Sequence, residues 1–540
     1  MNFTLVKLTT TRQILWRCLR GYNYSFLVVA AILVVLVALV PAAHKFHLFG
    51  PKLPIAIGAA MTVALLAVRI NRSQRVWRPW CTVVVFAAFL VVQLTVAWAL
   101  TATGSGWDSQ IVLDQAVRYA QQGSIDPALV DYFQTYPNNV ALLVMLGGYF
   151  KLVRLLGVSD LVTAASVLNA VALWLSQIML YLVARRLYGA RIARMTWPLS
   201  LLLLAISPQT ATVYTDTLAA LFPISLWYVV LRASAARSSN TRLGWLMVMG
   251  VVAVVGVLMK PTVIMAVIAP VVALGVWLLV SPATATQQRR RWWMVASGAL
   301  MTGLFCLFTY ASYLKLVDTL DILPYPARNL NDVAMPAWHY AAIGMKTREH
   351  DGVPAYGVYS AEAVANISAQ PGQQAKTAFA LSEIQRQLAG YGPVGYADFL
   401  LKKALWILSD GTFYAYGEGN TNLTFYHNDA VSWAVRQLLY VGGWGYGGYS
   451  NVAQVCWLAV LMLVALPVAR LRYAARNNFG FTTLVPRLML TGLILFILLF
   501  EGRSRYLFLY VPVFIGLALY TLKIFEPGEP LRTDDAGRRD

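Results

Sequence analysis

Charge is what this sequence has least of. Asp, Glu, Lys and Arg make up only 12% of its 540 residues, while 59% are hydrophobic; a soluble globular chain carries about twice that charged share. Its four cysteines (Cys18, Cys81, Cys306, Cys456) are scattered, which leaves no readable disulfide framework and no metal-ligand spacing. Its five histidines form no HExxH or related pattern, which argues against a zinc site. Acidic residues are also sparse, 23 against 43 basic ones, giving a net charge of +20. No basic, aromatic-interleaved soluble domain carries that excess, so nucleic acid is excluded as a partner. No internal repeat is evident, which argues weakly against many transporter folds.

What is present is apolar sequence in long blocks. The runs 26–40, 82–100, 161–183 and 292–313 approach or reach the roughly 17–25 residues that a helix needs to cross a bilayer. The expected fold is an all-α polytopic membrane protein with about 12 transmembrane helices (a range of 11–14). Spans are predicted near 24–42, 53–70, 80–102, 161–184, 193–208, 217–233, 243–260, 263–280, 292–314, 452–470, 484–500 and 505–522. They divide the chain into N-terminal helices (1–102), a first long loop (103–160), central helices (161–314), a large loop region (315–450), C-terminal helices (451–523) and a short polar tail (524–540). Both long loops are expected to contain juxtamembrane helices, one of them amphipathic at 372–389.

Short basic loops set the orientation. Lys7, Arg12, Arg17 and Arg20 precede the first span, which lacks a clear cleavage site and reads as an uncleaved helix with a cytoplasmic N-terminus. Arg69, Arg72, Arg75 and Arg78 follow the second span, and Arg185, Arg186, Arg191 and Arg194 the fourth. Arg232, Arg237 and Arg242 follow the sixth, Arg289, Arg290 and Arg291 the eighth, and Arg470, Arg472 and Arg476 the tenth. Every cluster then lies on the N-terminal side, as the positive-inside rule requires. The pattern holds only if the apolar segment 140–156 does not span, so it is expected to be interfacial or re-entrant. Both long loops become extracytoplasmic. Ala- and Val-rich spans with Arg-rich loops point to a bacterial plasma membrane.

The notable polar motifs gather on that outer side. Trp107-Asp108-Ser109 follows the third span and leads into a short helix over 111–121, with Asp108 near its N-terminus; Asp108 suits either an N-cap or a general base beside an aromatic ring. Tyr136-Pro137-Asn138-Asn139 stands at the entry of the segment 140–156, where Pro suits a helix start. Tyr214-Thr215-Asp216 precedes the sixth span and places a second carboxylate on the face of Asp108, suited to acid/base work or to a shared divalent cation such as Mg or Mn. Lys260 lies between two apolar runs, where an ionisable residue is a functional candidate.

Glu501-Gly502-Arg503-Ser504-Arg505-Tyr506 forms a tight turn between the last two spans. It puts two guanidinium groups outside, either as a phosphate clamp or as a pair with Glu501. In the large loop, His339, Tyr340 and Lys346 are weaker substrate-binding candidates, and Lys402, Lys403, Asp410-Gly411 and Glu418 weaker still.

In this order and sidedness the motifs resemble the GT-C superfamily of polyprenyl-phosphate-sugar-dependent glycosyltransferases, within the dolichyl-phosphate-mannose-protein mannosyltransferase-like group. The resemblance covers residues 80–520. It rests on Asp108 after an early span, Tyr136-Pro137, the basic loop Arg185-Arg186-Leu187-Tyr188-Gly189, Tyr214-Thr215-Asp216, Lys260 and the turn Glu501–Tyr506. It implies a lipid-linked sugar phosphate as donor and an envelope glycolipid, polymer or protein as acceptor, with Asp108 as the base of an inverting attack. Asp216 would orient the acceptor or help hold the cation, and Lys260, Arg503 and Arg505 would bind the donor phosphate. Trp107, Tyr136, Asn138, Asn139, Glu501 and Tyr506 would line the substrate site.

The sequence departs from the family pattern in carrying Trp-Asp-Ser rather than paired adjacent acids, and Asn-Asn after Tyr136-Pro137. A polysaccharide polymerase or ligase, or a lipid or solute transporter, are the competing readings. A transporter would place polar residues near helix midpoints, whereas here they collect at one face.

Overall fold

The computed structural model describes residues 2–39, 52–72, 78–280, 285–331, 333–350, 353–417, 423–470 and 481–525. Arg75, Glu418, Arg472, Arg476 and the tail from 526 onward lie outside them. Among the described residues nine helices are long and apolar enough to cross a membrane: Gln13–Leu39, Leu53–Arg72, Pro79–Leu100, Leu161–Ala193, Thr215–Ser234, Ser239–Met259, Pro261–Leu279, Thr286–Leu320 and Tyr446–Arg470. Three shorter apolar helices, Thr196–Ala205, Thr483–Leu499 and Val511–Ile524, fall on the remaining predicted spans. The chain is a polytopic, all-α membrane protein.

Local chemistry fixes several helix ends. Pro79 opens the third span, where its missing N–H costs nothing. The side chain of Asp160 accepts from the Thr163 amide and caps Leu161–Ala193. The short apolar helix Thr196–Ala205 ends in a π-helical turn, Leu201–Ala205, and the chain then exits through Ser207-Pro208. The interior is packed around the last span, Val511–Ile524. A Cβ on Gly516 would sit 2.6 Å from the ring of the buried Trp227, so the two helices meet closely there.

Segment 140–156 forms the helix Val140–Leu155, 16 residues carrying Lys151 and Arg154, and it is not one of the span-length helices. It lies on the helix Asp108–Gln122. Gly147 receives the Tyr119 ring, Arg154 donates to the Ala120 carbonyl, and the Lys151 ammonium sits 3.7 Å from the Tyr119 ring centroid. Its far end presents Leu152, Leu155 and Leu156 outward.

Several boundaries differ from expectation: the spans expected at 161–184 and 292–314 run as Leu161–Ala193 and Thr286–Leu320. The amphipathic helix expected at 372–389 runs as Gly372–Leu408. Within the Gly- and Tyr-rich stretch 390–396, Gly392 adopts φ 61° and makes a kink, and Pro393 restarts the helix. A two-residue ladder, Ala102–Thr103 against Thr424–Phe425, ties the first long loop to the end of the large one. A second ladder joins Thr347–His350 to Val353–Tyr356.

Candidate active site

Five helix ends meet at one place. The third span ends at Leu100, and the loop after it delivers Trp107 as N-cap of the helix Asp108–Gln122, with Asp108 in its first turn. Asp108 is therefore not the cap, and its carboxylate is aimed elsewhere. Tyr132 donates its hydroxyl to Asp108 Oδ1 at 2.8 Å, and Tyr214 donates to Oδ2 at 3.3 Å. Asn139 ties the two phenols together: its Nδ2 donates to the Tyr132 oxygen at 2.7 Å, and its Oδ1 accepts from Tyr214 at 3.1 Å. Asn138 donates to Asn139 Oδ1 at 3.2 Å. Pro137 opens a short 3₁₀ turn over Pro137–Asn139, which aims Asn139 inward, where it is fully buried. Asp108 keeps partial exposure.

The second carboxylate is differently placed. Tyr214 is the N-cap of the short helix Thr215–Leu218, so Asp216 is in the first turn rather than at the cap. Asp216 is 1% exposed, with Lys260 Nζ 2.7 Å from Oδ1 and Arg505 Nε 3.2 Å from Oδ2. Lys260 stands where Ser239–Met259 ends and Pro261 begins the next helix. The break in the helix brings an ammonium to the level of the other site residues.

Arg505 opens the short helix Arg505–Phe508. Its guanidinium carbon is 4.4 Å from the Trp107 ring centroid and 5.3 Å from that of Tyr214, and Lys260 Nζ is 4.3 Å from the Tyr506 ring centroid. Trp107 and Tyr214 pack edge to face at 4.9 Å. The carboxylate of Asp108 and the cation of Arg505 therefore share Tyr214 as a neighbour. The pairing with Glu501 expected as the alternative is met by Arg503. Glu501 pairs with Arg503 at 3.6 Å and accepts the Tyr506 hydroxyl at 3.4 Å.

Three further phenols border the carboxylates. Burial, then Tyr359, Asp108 and Glu501, push the Tyr136 phenol upward. Burial, then Glu501, Tyr136 and Asp108, do the same to Tyr340. Tyr359, raised by burial and by the charges of Asp108 and Glu501, belongs to the same rim. Tyr340 also accepts the Glu501 amide on its carbonyl at 2.8 Å.

Of the other large-loop candidates, Lys403 and Asp410 bond to the turn at Phe500 and Ser504, whereas His339, Lys346 and Lys402 make their contacts elsewhere. His339 is buried beside Tyr340, and Lys346 reaches Glu383 at 3.7 Å. Lys402 pairs with Asp398 at 2.6 Å on an exposed face.

A shared cation does not suit the two acids. Both oxygens of Asp216 face cationic side chains and those of Asp108 accept phenol protons. Among the described residues no group of three or more His, Cys, Asp and Glu side chains gathers as metal ligands.

Sequence reasoning missed Tyr132 as a site residue and underrated Tyr214. Only the spacing of Tyr132 four residues before Tyr136 hinted at the former, and their rings lie 5.3 Å apart.

A family model described as a conserved hypothetical integral membrane protein matches residues 50–524. Two solved structures of ArnT from Cupriavidus metallidurans are similar to the chain. The one bound to undecaprenyl phosphate is 16% identical, with a TM-score of 0.33, covering 82% of this chain and 78% of that one. The apo form is 15% identical, with a TM-score of 0.32, covering 82% and 77%. No curated protein matches the chain.

Proposed function

We propose that this chain, which belongs to the conserved hypothetical integral membrane protein family, is a GT-C-type glycosyltransferase that moves a sugar from a polyprenyl-phosphate donor to an envelope acceptor. The observation that carries the reading is the division of labour between two carboxylates in one cluster. Asp108 is partly exposed and held by hydroxyls, while Asp216 is buried and spent on Lys260 and Arg505. A general base needs access to its substrate; a set of cations awaiting a phosphate needs a counter-charge while the site is empty.

The step follows from that division. Asp108 takes the proton of the acceptor hydroxyl as its oxygen attacks the anomeric carbon from the face opposite the phosphate. The new C–O bond forms as the bond to the phosphate oxygen breaks, and the electron pair leaves on the polyprenyl phosphate with inversion at carbon. Lys260, Arg505 and Arg503 offset the charge gathering on that phosphate. Trp107, Tyr136, Asn138, Asn139, Tyr340 and Tyr506 shape the sugar site, with Tyr132 and Tyr214 orienting the base. Asp216 then acts as counter-ion to the phosphate-binding cations rather than as a second acid. On this reading the site faces the extracytoplasmic side of a bacterial plasma membrane, an orientation that the basic loops support.

The test is transfer by purified protein in lipid, from a panel of polyprenyl-phosphate monosaccharides to membrane-extract acceptors, with Asp108→Asn as control. Transfer from one donor, lost in the control, establishes the class and the sugar. No transfer from any donor, with lipid or solute movement across liposomes instead, overturns it in favour of a transporter.

A further inference from the structure

The helix Gly372–Leu408 and the turn after it bury two charged side chains that the proposed reaction does not use, Lys403 and Asp410, both fully buried. Lys403 Nζ donates to three backbone carbonyls: Gly344 at 2.7 Å, Leu498 at 3.1 Å and Phe500 at 2.6 Å. An ammonium has three N–H donors, so the set is complete. Gly344 ends the helix Ala337–Gly344, and Leu498 lies in the last turn of Phe481–Leu499. One cation therefore satisfies carbonyls that two helix ends leave without partners. Burial pushes this amine down to about 7, with Glu501 pulling it back up; three acceptors on one buried group offset part of that cost.

Asp410 does the same from the other side. It accepts the Thr412 amide at 2.8 Å, the Thr412 hydroxyl at 2.9 Å, the Tyr414 amide at 2.6 Å and the Ser504 hydroxyl at 2.6 Å. The turn that carries Glu501, Arg503 and Arg505 is thus gripped at Phe500 by Lys403 and at Ser504 by Asp410. Between those grips the Glu501 amide donates to Tyr340 and the Gly502 amide to Gly357, at 2.8 and 3.0 Å. The packing has no slack. A Cβ on Gly344 would meet the Phe500 carbonyl carbon at 2.5 Å, and one on Gly357, whose φ is +68°, would meet Lys403 at 2.6 Å.

We infer that Lys403 and Asp410 are positioning residues, a two-point clamp that fixes the 500–505 turn so that Arg503 and Arg505 face the donor phosphate. The inference rests on the reading of those arginines as phosphate-binding groups, so its test separates the two. Lys403→Met and Ser504→Ala each release one grip without touching a group that meets substrate; the second is the milder if the first fails to fold. Two quantities are read in full-length protein in lipid nanodiscs: hydrogen exchange of the 501–502 amides, and affinity for undecaprenyl phosphate itself.

The expected result is faster exchange confined to that turn, affinity for undecaprenyl phosphate weakened about tenfold, and, where transfer is measurable, a raised donor KM with acceptor KM unchanged. Unchanged exchange, or loosened exchange with undecaprenyl phosphate affinity intact, overturns the clamp. A wild type that transfers no sugar overturns the proposed reaction, while the exchange and binding measurements still decide the clamp.

Discussion

Tyr132 and Asp108, 24 residues apart, are joined by a 2.8 Å bond from phenol to carboxylate, and Asn139 reaches the same phenol from a different turn. The carboxylate is thus held by an uncharged neighbour. A cation in that place would stabilise the charge and blunt the base, whereas a phenol pushed upward by burial and by Asp108 itself gives direction and keeps its proton.

On the proposed reaction, Asp108→Asn is therefore expected to abolish transfer while folding and donor-lipid binding stay intact, because the amide keeps an acceptor for Tyr132 but takes no proton. Tyr132→Phe is expected to lower kcat about tenfold with donor KM unchanged. Steady-state kinetics on both variants check this, and normal turnover in Asp108→Asn removes it as the base.

Asp216 is expected to matter chiefly for stability. Asp216→Asn leaves Lys260 and Arg505 without the buried counter-charge, a loss on the order of 3–5 kcal/mol in comparable buried pairs, read by thermal unfolding. Arg505→Ala should instead raise donor KM and leave acceptor KM alone. Unchanged donor affinity there would make the Arg505–Asp216 contact purely structural.

His339 gives a pH signature. Burial, and then the Lys346 ammonium, push its imidazole down to about 4, whereas an unfolded histidine titrates near 6.5. Between those values the unfolded chain binds the extra proton, so stability falls as pH drops from 6.5 towards 4 and is unaffected by this group above 6.5. Melting curves across that window should flatten in His339→Gln, and an equally steep acid limb in the variant assigns the effect to other groups.

Metal removal is expected to leave transfer unchanged, because Asp216 already faces Lys260 and Arg505. A rate that falls on washing with EDTA and returns with Mg or Mn would put a cation on Asp108.

The apolar runs made the nine span-length helices and the three shorter apolar helices of the described residues legible from the sequence, since a long apolar run is a one-dimensional property. The site was legible in part for a related reason: Asp108, Asp216, Lys260 and Arg505 each stand where an apolar run breaks, and such breaks share a level in a bundle. Pairing was not legible. Whether Glu501 meets Arg503 or Arg505 depends on the path of a five-residue turn, which Lys403 and Asp410 dictate from a hundred residues away. The kink at Gly392 was hidden for a similar reason, because Gly-Tyr-Gly-Pro reads equally as a stop or a bend, and the surrounding packing chooses.

The order in which the site's parts leave the ribosome follows from their positions. Asp216 and Lys260 emerge with neighbouring spans and can neutralise each other while the chain is still being made, so neither charge needs to enter the bilayer alone. Arg505 arrives with the last hairpin, after the ladder partners Thr424–Phe425 and the clamp residues have been synthesised. Under the proposed reaction, an inserting chain therefore lacks Arg503 and Arg505, two of its three phosphate-binding cations, until its final helices are made.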